Sequence, residues 1–304
     1  MSTVGGAISG AIRGVRPIAS GRNGEYRPTA LIFLTLLWLA LAVAFGVLVT
    51  LIVTIIIEGQ GQFTTRLFTE YPASSPDRAG ARPAILGSVW VIGATAVMTI
   101  PLGVAAAVHL EEFADKKNWF NRLVELNVQN LAAVPSIVYG LLALAFLTMM
   151  GVRDKNIVIA GALALSLLIL PVIIIATREA LRSVPSEIRQ GSLALGATPW
   201  QTVWRQTLPA SVPGISTGAI LALSRAFGEA APLLVLGALV FVSFDPNGLL
   251  SGYTTLPIQI FNWTGRPQEG FHQLAAATSV LLLVVLVAMN GVAILIRNRF
   301  QKRW

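Results

Sequence analysis

Residues 178–232 read REALRSVPSEIRQGSLALGATPWQTVWRQTLPASVPGISTGAILALSRAFGEAAP, and they open with a polar interruption between two long apolar runs. Pro185 suits the first position of a short helix, because the N–H that proline lacks would have no partner there. Gly196 can end that helix in a left-handed conformation. Thr198-Pro199-Trp200-Gln201 has the spacing of a capping box, which indicates that a second helix begins at once.

Pro209 and Pro213 are expected to end this second helix, since proline breaks the backbone hydrogen bonding of a helix interior. The stretch therefore predicts two short helices joined at Gly196, in a loop outside a membrane. Periodicity and capping alone fit an ordinary amphipathic loop between two transmembrane helices equally well.

The composition is that of a polytopic membrane protein. Of 304 residues, 55% are hydrophobic and 12% charged, with a mean hydropathy of +0.72, whereas a soluble domain carries about 25% charged residues. The net charge of +8 comes from basic residues that flank apolar runs, which excludes a nucleic-acid-binding face. With no cysteine and two histidines, neither disulfides nor a histidine metal cluster is expected. No acid–base or nucleophile constellation favours an enzyme.

The apolar runs predict an all-α fold of six transmembrane helices, since about 20 apolar residues span a bilayer. The predicted spans are 29–57, 84–109, 127–150, 157–176, 213–242 and 273–296. Residues 1–28 and 297–304 are predicted cytosolic tails, and 84–296 the transmembrane core. Residues 111–126 are amphipathic, which predicts a helix along the membrane interface.

The distribution of Lys and Arg predicts the orientation. With the N-terminus inside, fifteen of the 22 basic residues lie in inner segments and six in outer loops. This topology places both termini and the loop 178–212 in the cytoplasm.

Arg225 and Glu229 lie within the predicted fifth span, about 18 Å past its start at 1.5 Å per residue. A charge at such depth costs ~2.5–3.5 kcal/mol unless it is paired or faces water. Four residues apart on one helix, the two can pair. They are either a structural ion pair that orders the bundle or a polar lining for an anion path, in which Arg225 attracts the anion and Glu229 prevents permanent capture.

The polar loop resembles the loop of permease subunits of ABC importers. Gly196 is followed after nine residues by Gln206-Thr207-Leu208-Pro209, the spacing of that family's motif, in which Gln190 here replaces an acidic residue and Gln206 an isoleucine. The resemblance implies a coupling helix that docks into a groove of an ATPase subunit. By position, the implied docking residues are Gln190, Gly191, Ser192, Leu193, Ala194, Leu195, Gly196 and Ala197.

Further stretches resemble the PstA-type permeases of bacterial phosphate ABC importers: LAAVPSIVYGLLAL (131–144), SRAFGEAAPLL (224–234) and TTLPIQIFNW (254–263). This resemblance covers nearly all of 84–296. It implies a multi-pass protein of the bacterial cytoplasmic membrane, in contact with lipid. The implied partners are a second, C-type permease, two ATPase subunits that bind ATP and Mg, and an extracytoplasmic phosphate-binding protein.

For the phosphate path, the resemblance and the chemistry favour Arg225, because a guanidinium matches an oxyanion bidentately. Glu229, Ser136 and Tyr139 are further candidates for the lining. The chain has no G-x-x-x-x-G-K-[ST] loop, so ATP hydrolysis is assigned to a separate subunit. Two alternatives remain open: a permease for another oxyanion such as sulfate or molybdate, and an autonomous channel or secondary carrier.

Overall fold

A computed structural model describes residues 28–115, 117–238 and 241–300. The chain divides into two compact units, Met1–Val53 and Thr54–Trp304. In the first, the described residues belong to α1 (Pro28–Gly59), whose large apolar side chains are exposed, as in a helix surrounded by lipid. The predicted tails 1–28 and 297–304 lie for the most part outside the described residues.

The second unit is helical, and its described ranges contain one isolated bridge, between Ile157 and Gly252. Two π-helical turns, His109–Phe113 and Val203–Thr207, follow α3 and α8. The helices are α2 (Thr65–Thr69), α3 (Arg82–Val108), α4 (Trp119–Leu131), α5 (Ser136–Met149), α6 (Val158–Arg182), α7 (Ser186–Ala194), α8 (Pro199–Thr202), α9 (Leu208–Phe227), α10 (Ala231–Val235), α11 (Leu256–Thr264) and α12 (Glu269–Phe300).

Five helical stretches of the described chain are long and apolar enough to cross a membrane, and a sixth candidate consists of α4 and α5 together. The five are Ile32–Gln62, Arg82–Phe113, Val158–Arg182, Pro199–Phe227 and Glu269–Arg299. The predicted all-α, polytopic fold class is confirmed.

Helix α6 lies at the centre of the second unit and packs against α3, α5 and α9. Its contact with α9 is close because small residues face each other. A Cβ added to Gly214 would stand 2.7 Å from the Cβ of Ala180, and one added to Gly218 would stand 2.5 Å from the Cβ of Ala176. Small residues four apart allow such an approach of helices within a membrane.

The predicted third span at 127–150 is broken into two helices rather than formed by one. Helices α4 and α5 meet at an angle of 113°, and the break lies just before Pro135, whose backbone is extended at φ −56° and ψ 136°. Proline disfavours helical backbone at the residue that precedes it and donates no hydrogen bond. The 14 residues of α5 extend about 21 Å at 1.5 Å per residue, which is shorter than a bilayer core of about 30 Å.

The predicted fifth span, 213–242, is also wrong at both ends. The helical stretch begins at Pro199 and continues through the π turn and α9. Pro209 does not end it, because it lies in the first turn of α9, where its missing N–H removes no bond within that helix. Pro213 does not end it either and lies inside α9. The stretch ends at Phe227 instead, since a helix passing through Pro232 would set its ring against a preceding carbonyl.

Three smaller boundaries differ from the prediction. The fourth span continues to Arg182, six residues beyond 157–176. Arg178 and Arg182 at this polar end pair with Glu111, which follows α3. Pro185 is the N-cap of α7 rather than its first residue. The amphipathic segment 111–126 is divided between the π turn after α3 and the start of α4.

Contacts between distant segments occur at both ends of the bundle. At one end, Arg82 Nη2 lies 2.6 Å from Asp245 Oδ2, and the loop before α6 pairs with residue 252. At the other end, Arg178 Nε lies 3.2 Å from Glu111 Oε2.

Candidate functional site

The loop 178–212 contains the two short helices that were predicted, joined at Gly196. Gly196 has φ +86°, so its left-handed conformation is confirmed. Its N–H donates to the Leu193 carbonyl at 3.0 Å, and the Ala197 N–H donates to the Ser192 carbonyl at 3.2 Å. These two bonds form a Schellman motif, which satisfies carbonyls at the end of α7.

The second helix begins with the predicted capping box. Thr198 Oγ1 accepts from the Gln201 N–H at 3.2 Å, and Gln201 Oε1 accepts from the Thr198 N–H at 3.0 Å. The hydroxyls of Ser192 and Thr202 lie 2.9 Å apart, which joins α7 to α8 across the glycine. The angle between the two short helices is therefore fixed by local bonds.

The predicted docking residues 190–197 lie together on this joint, and none of them is buried. Leu195 is 90% exposed and Leu193 is also exposed. Beside them is a groove of about 410 Å³ lined by residues of α7, α8 and the π turn, including Arg205. Exposed leucines beside a groove of mixed polar and apolar lining are typical of a surface that contacts another protein.

A cluster of ion pairs lies next to this loop, and its contacts with Glu111 and Glu125 were not predicted. Arg178 is buried and contacts two carboxylates, Glu111 Oε2 at 3.2 Å and Glu125 Oε1 at 2.8 Å. Arg182 Nη2 lies 3.0 Å from the same Glu111 oxygen, and its Nη1 lies 3.2 Å from Glu179 Oε1. The signal in the sequence was the opposite charge of two segments predicted on the same side of the membrane.

Arg225 and Glu229 are near each other but do not share a helix face. Arg225 lies in the last turn of α9, and Glu229 follows the end of that helix at Phe227. Their closest atoms, Arg225 Nε and Glu229 Oε1, are 3.9 Å apart, and the side chains are 52% and 22% exposed. The expected pair in mid-span is therefore corrected to a loose contact at a helix end, where the dipole favours a cation.

Glu229 turns toward the interior of the bundle. It lines a small cavity of about 10 Å³ together with Ser88 of α3 and Thr255. The Thr255 hydroxyl is buried and has no hydrogen-bond partner, whereas Ser88 Oγ accepts from the Leu256 N–H at 2.9 Å. Sequence reasoning did not select Ser88 or Thr255, because isolated hydroxyls carry no pattern.

Of the two further candidates in α5, Tyr139 packs in the bundle interior and Ser136 lies at the start of the helix. Tyr139 is buried in the same apolar cluster as Ala226, the residue that follows Arg225. The Tyr139 hydroxyl donates to the Leu131 carbonyl at 2.5 Å, so it holds the bend between α4 and α5. Ser136 is half-buried at the first position of α5.

Comparison with known proteins gives a consistent result. The family described as binding-protein-dependent transport system inner membrane component matches residues 99–304. The probable ABC transporter permease protein YqgI of Bacillus subtilis (strain 168) is 36% identical over 239 residues, 76% of each chain. The phosphate transport system permease protein PstA 1 of Mycobacterium tuberculosis (strain ATCC 25618 / H37Rv) is 34% identical over 219 residues, 72% of this chain and 70% of that protein.

Two solved structures share the fold. A chain of the bacterial alginate ABC transporter, in complex with an alginate pentasaccharide-bound periplasmic protein, has a TM-score of 0.62 and 14% identity over 91% of this chain and 96% of its own. A chain of the inward-facing MetNI methionine ABC transporter has a TM-score of 0.54 and 21% identity, covering 71% of this chain and 95% of its own. This chain belongs to the family of binding-protein-dependent transport system inner membrane components.

Proposed function

We propose that the chain is a permease subunit of an ATP-driven importer of inorganic phosphate and forms half of its translocation path. The relatives named as phosphate permeases support the choice of substrate. The observation that carries the proposal is Arg225, a half-exposed guanidinium at the end of α9. It offers two parallel N–H donors to an oxyanion on a face that remains open for a second permease subunit.

The loop 178–212 is assigned the coupling role. The exposed leucines and the glycine joint suit insertion into a groove of an ATPase subunit. The complete transporter contains a second, C-type permease, two ATPase subunits that bind ATP and Mg, and an extracytoplasmic phosphate-binding protein. Nucleotide-driven movement of the ATPases displaces α7 and α8 and switches the path between outward and inward access.

The chain is a multi-pass inner membrane protein, and we assign both termini and the loop 178–212 to the cytoplasm. Because the sequence has no cysteine, single introduced cysteines test this directly. Ala194→Cys and Ser243→Cys replace exposed residues at the two ends of the bundle. A membrane-impermeant maleimide applied to intact cells should label Ser243→Cys alone; labelling of Ala194→Cys would reverse the assignment.

Arg225→Gln tests the role in the path. Uptake of labelled phosphate should fall at least tenfold, which corresponds to about 1.4 kcal/mol, while the second permease and the ATPase still co-purify. Arg297→Gln, which removes one exposed positive charge from the last turn of α12, should leave uptake unchanged. Normal uptake by Arg225→Gln would remove this residue from the path.

Competition and energy supply distinguish the remaining alternatives. In liposomes that hold the complete complex, unlabelled phosphate should reduce uptake of labelled phosphate, and equal amounts of sulfate or molybdate should not. Uptake should require ATP. Phosphate flux through the chain without ATP would identify a channel or secondary carrier instead.

A further inference from the structure

Three consecutive residues of the π turn His109–Phe113 contact three different elements of the coupling loop, residues 178–212. Glu111 pairs with Arg178 and Arg182 at the end of α6. Glu112 pairs with Arg189 in α7, and the Phe113 ring lies 5.6 Å from the Trp200 ring of α8. Successive side chains point in different directions from a helical turn, so this short segment reaches the whole loop.

The contact between Glu112 and Arg189 is the most specific of the three. Arg189 Nη2 lies 2.7 Å from Glu112 Oε1, and its Nε lies 3.2 Å from the same oxygen. The other donors go to the end of α6, from Nη1 to the Val184 carbonyl at 2.8 Å and from Nη2 to the Leu181 carbonyl at 2.7 Å. One guanidinium thus joins α7 to the π turn and to the end of α6.

Helix α7 depends on this contact because it has no core packing of its own: none of its nine residues is buried. The Arg189 and Glu112 side chains are only 24% and 10% exposed, and a partly buried, charge-assisted pair is stronger and more rigid than a surface pair. The turn itself is held by the Ala114 N–H, which donates to the His109 carbonyl at 2.8 Å. Such π-helical turns occur frequently at functional sites.

We propose that Glu112, Arg189 and Phe113 form the link that transmits displacement of the coupling loop to helix α3. This inference rests on the proposed docking of the loop on an ATPase. The loop continues directly from α6, and these side chains join it to the π turn that ends α3. Helix α3 carries Ser88 beside Glu229 at the small cavity, so the link connects α7 with the region of the path. The three are positioning residues and contact no substrate.

The test uses the complete transporter in liposomes and measures phosphate uptake per ATP hydrolysed. Glu112→Gln and Arg189→Gln should each lower this ratio about tenfold, because either change removes the ion pair. The double variant should be no worse than the poorer single variant, as expected when two residues act through one contact. Arg122→Gln, an exposed arginine of α4, is the matched control and should keep the normal ratio.

The outcomes separate this link from the docking role itself. An unchanged ratio in both single variants, or losses that add in the double variant, would overturn the link while leaving docking intact. Loss of ATPase co-purification in Arg189→Gln but not in Glu112→Gln would place Arg189 in the docking surface and also overturn it. Failure of the unaltered complex to retain an ATPase would instead refute the proposed function. Restoration of the ratio by the exchange Glu112→Arg with Arg189→Glu would support the link independently.

Discussion

Gly87 of α3 lies against the Thr254 carbonyl oxygen so closely that a Cβ at residue 87 would overlap it. The next residue, Ser88, accepts a hydrogen bond from the Leu256 N–H. Backbone contact and hydrogen bond together fix the segment that leads into α11. This places Thr255 beside Glu229. The positions of Ser88 and Thr255 at the candidate path therefore depend on Gly87.

Gly87→Ala should therefore destabilise the protein by about 1–3 kcal/mol, the usual cost of inserting a methyl group into a well-packed site. Gly93→Ala on the same helix is the matched control, because a Cβ there meets nothing within 4 Å. Thermal unfolding of the purified complex compares the two. Equal melting temperatures would show that the contact at Gly87 relaxes without cost.

Arg178→Gln should be strongly destabilising, because it removes a buried guanidinium that contacts the carboxylates of Glu111 and Glu125. Breaking a buried ion pair by removing one member costs about 3–5 kcal/mol. The side chain of Arg178 is 7% exposed and that of Arg182 is 43% exposed, although both contact Glu111. Arg182→Gln should therefore lower the stability much less, as measured by thermal unfolding of both variants. A larger loss in Arg182→Gln than in Arg178→Gln would contradict the assigned burial.

Gly196→Val should uncouple ATP hydrolysis from phosphate uptake and so lower the uptake per ATP hydrolysed. A β-branched residue is strained at φ +86°, and left-handed backbone costs roughly 1–2 kcal/mol for a non-glycine residue. The space around Gly196 is open, so the effect comes from the backbone alone. Gly196→Asn should retain more coupling, because asparagine tolerates this conformation. Equal uptake per ATP in both variants would argue against the glycine joint.

Thr198→Ala should loosen the start of α8, since it removes the side-chain acceptor of the capping box. The loss of an N-cap costs about 1 kcal/mol. Amide hydrogen exchange at Gln201, whose N–H donates to Thr198 Oγ1, should become faster. Thr198→Ser keeps the acceptor and should preserve protection. Unchanged exchange in the alanine variant would mean that tertiary contacts hold this turn.

Much of the loop 178–212 was predictable because its rules are local. A glycine after an amphipathic turn and a Thr-x-x-Gln spacing specify a left-handed joint and a capped helix wherever they occur. Both features have the predicted form at Gly196 and Thr198. The prolines were predicted less well, because a proline ends a helix only where its neighbours cannot compensate for the missing bond. Pro209 is tolerated within a helical stretch, and Pro135 marks a bend of 113°.

The sequence by itself determined that the chain is an all-α membrane protein with a glycine-jointed loop, since apolar run length and turn chemistry depend on neighbouring residues. Only the tertiary structure decided which charges meet. Arg178 and Glu111 are 67 residues apart in the chain, and Arg189 and Glu112 are 77 apart. A contact of that separation exists only because the packing of α3 against α6 brings the two ends together. Likewise, Glu229 lines an interior cavity and Arg225 is half exposed, which a spacing of four residues could not specify.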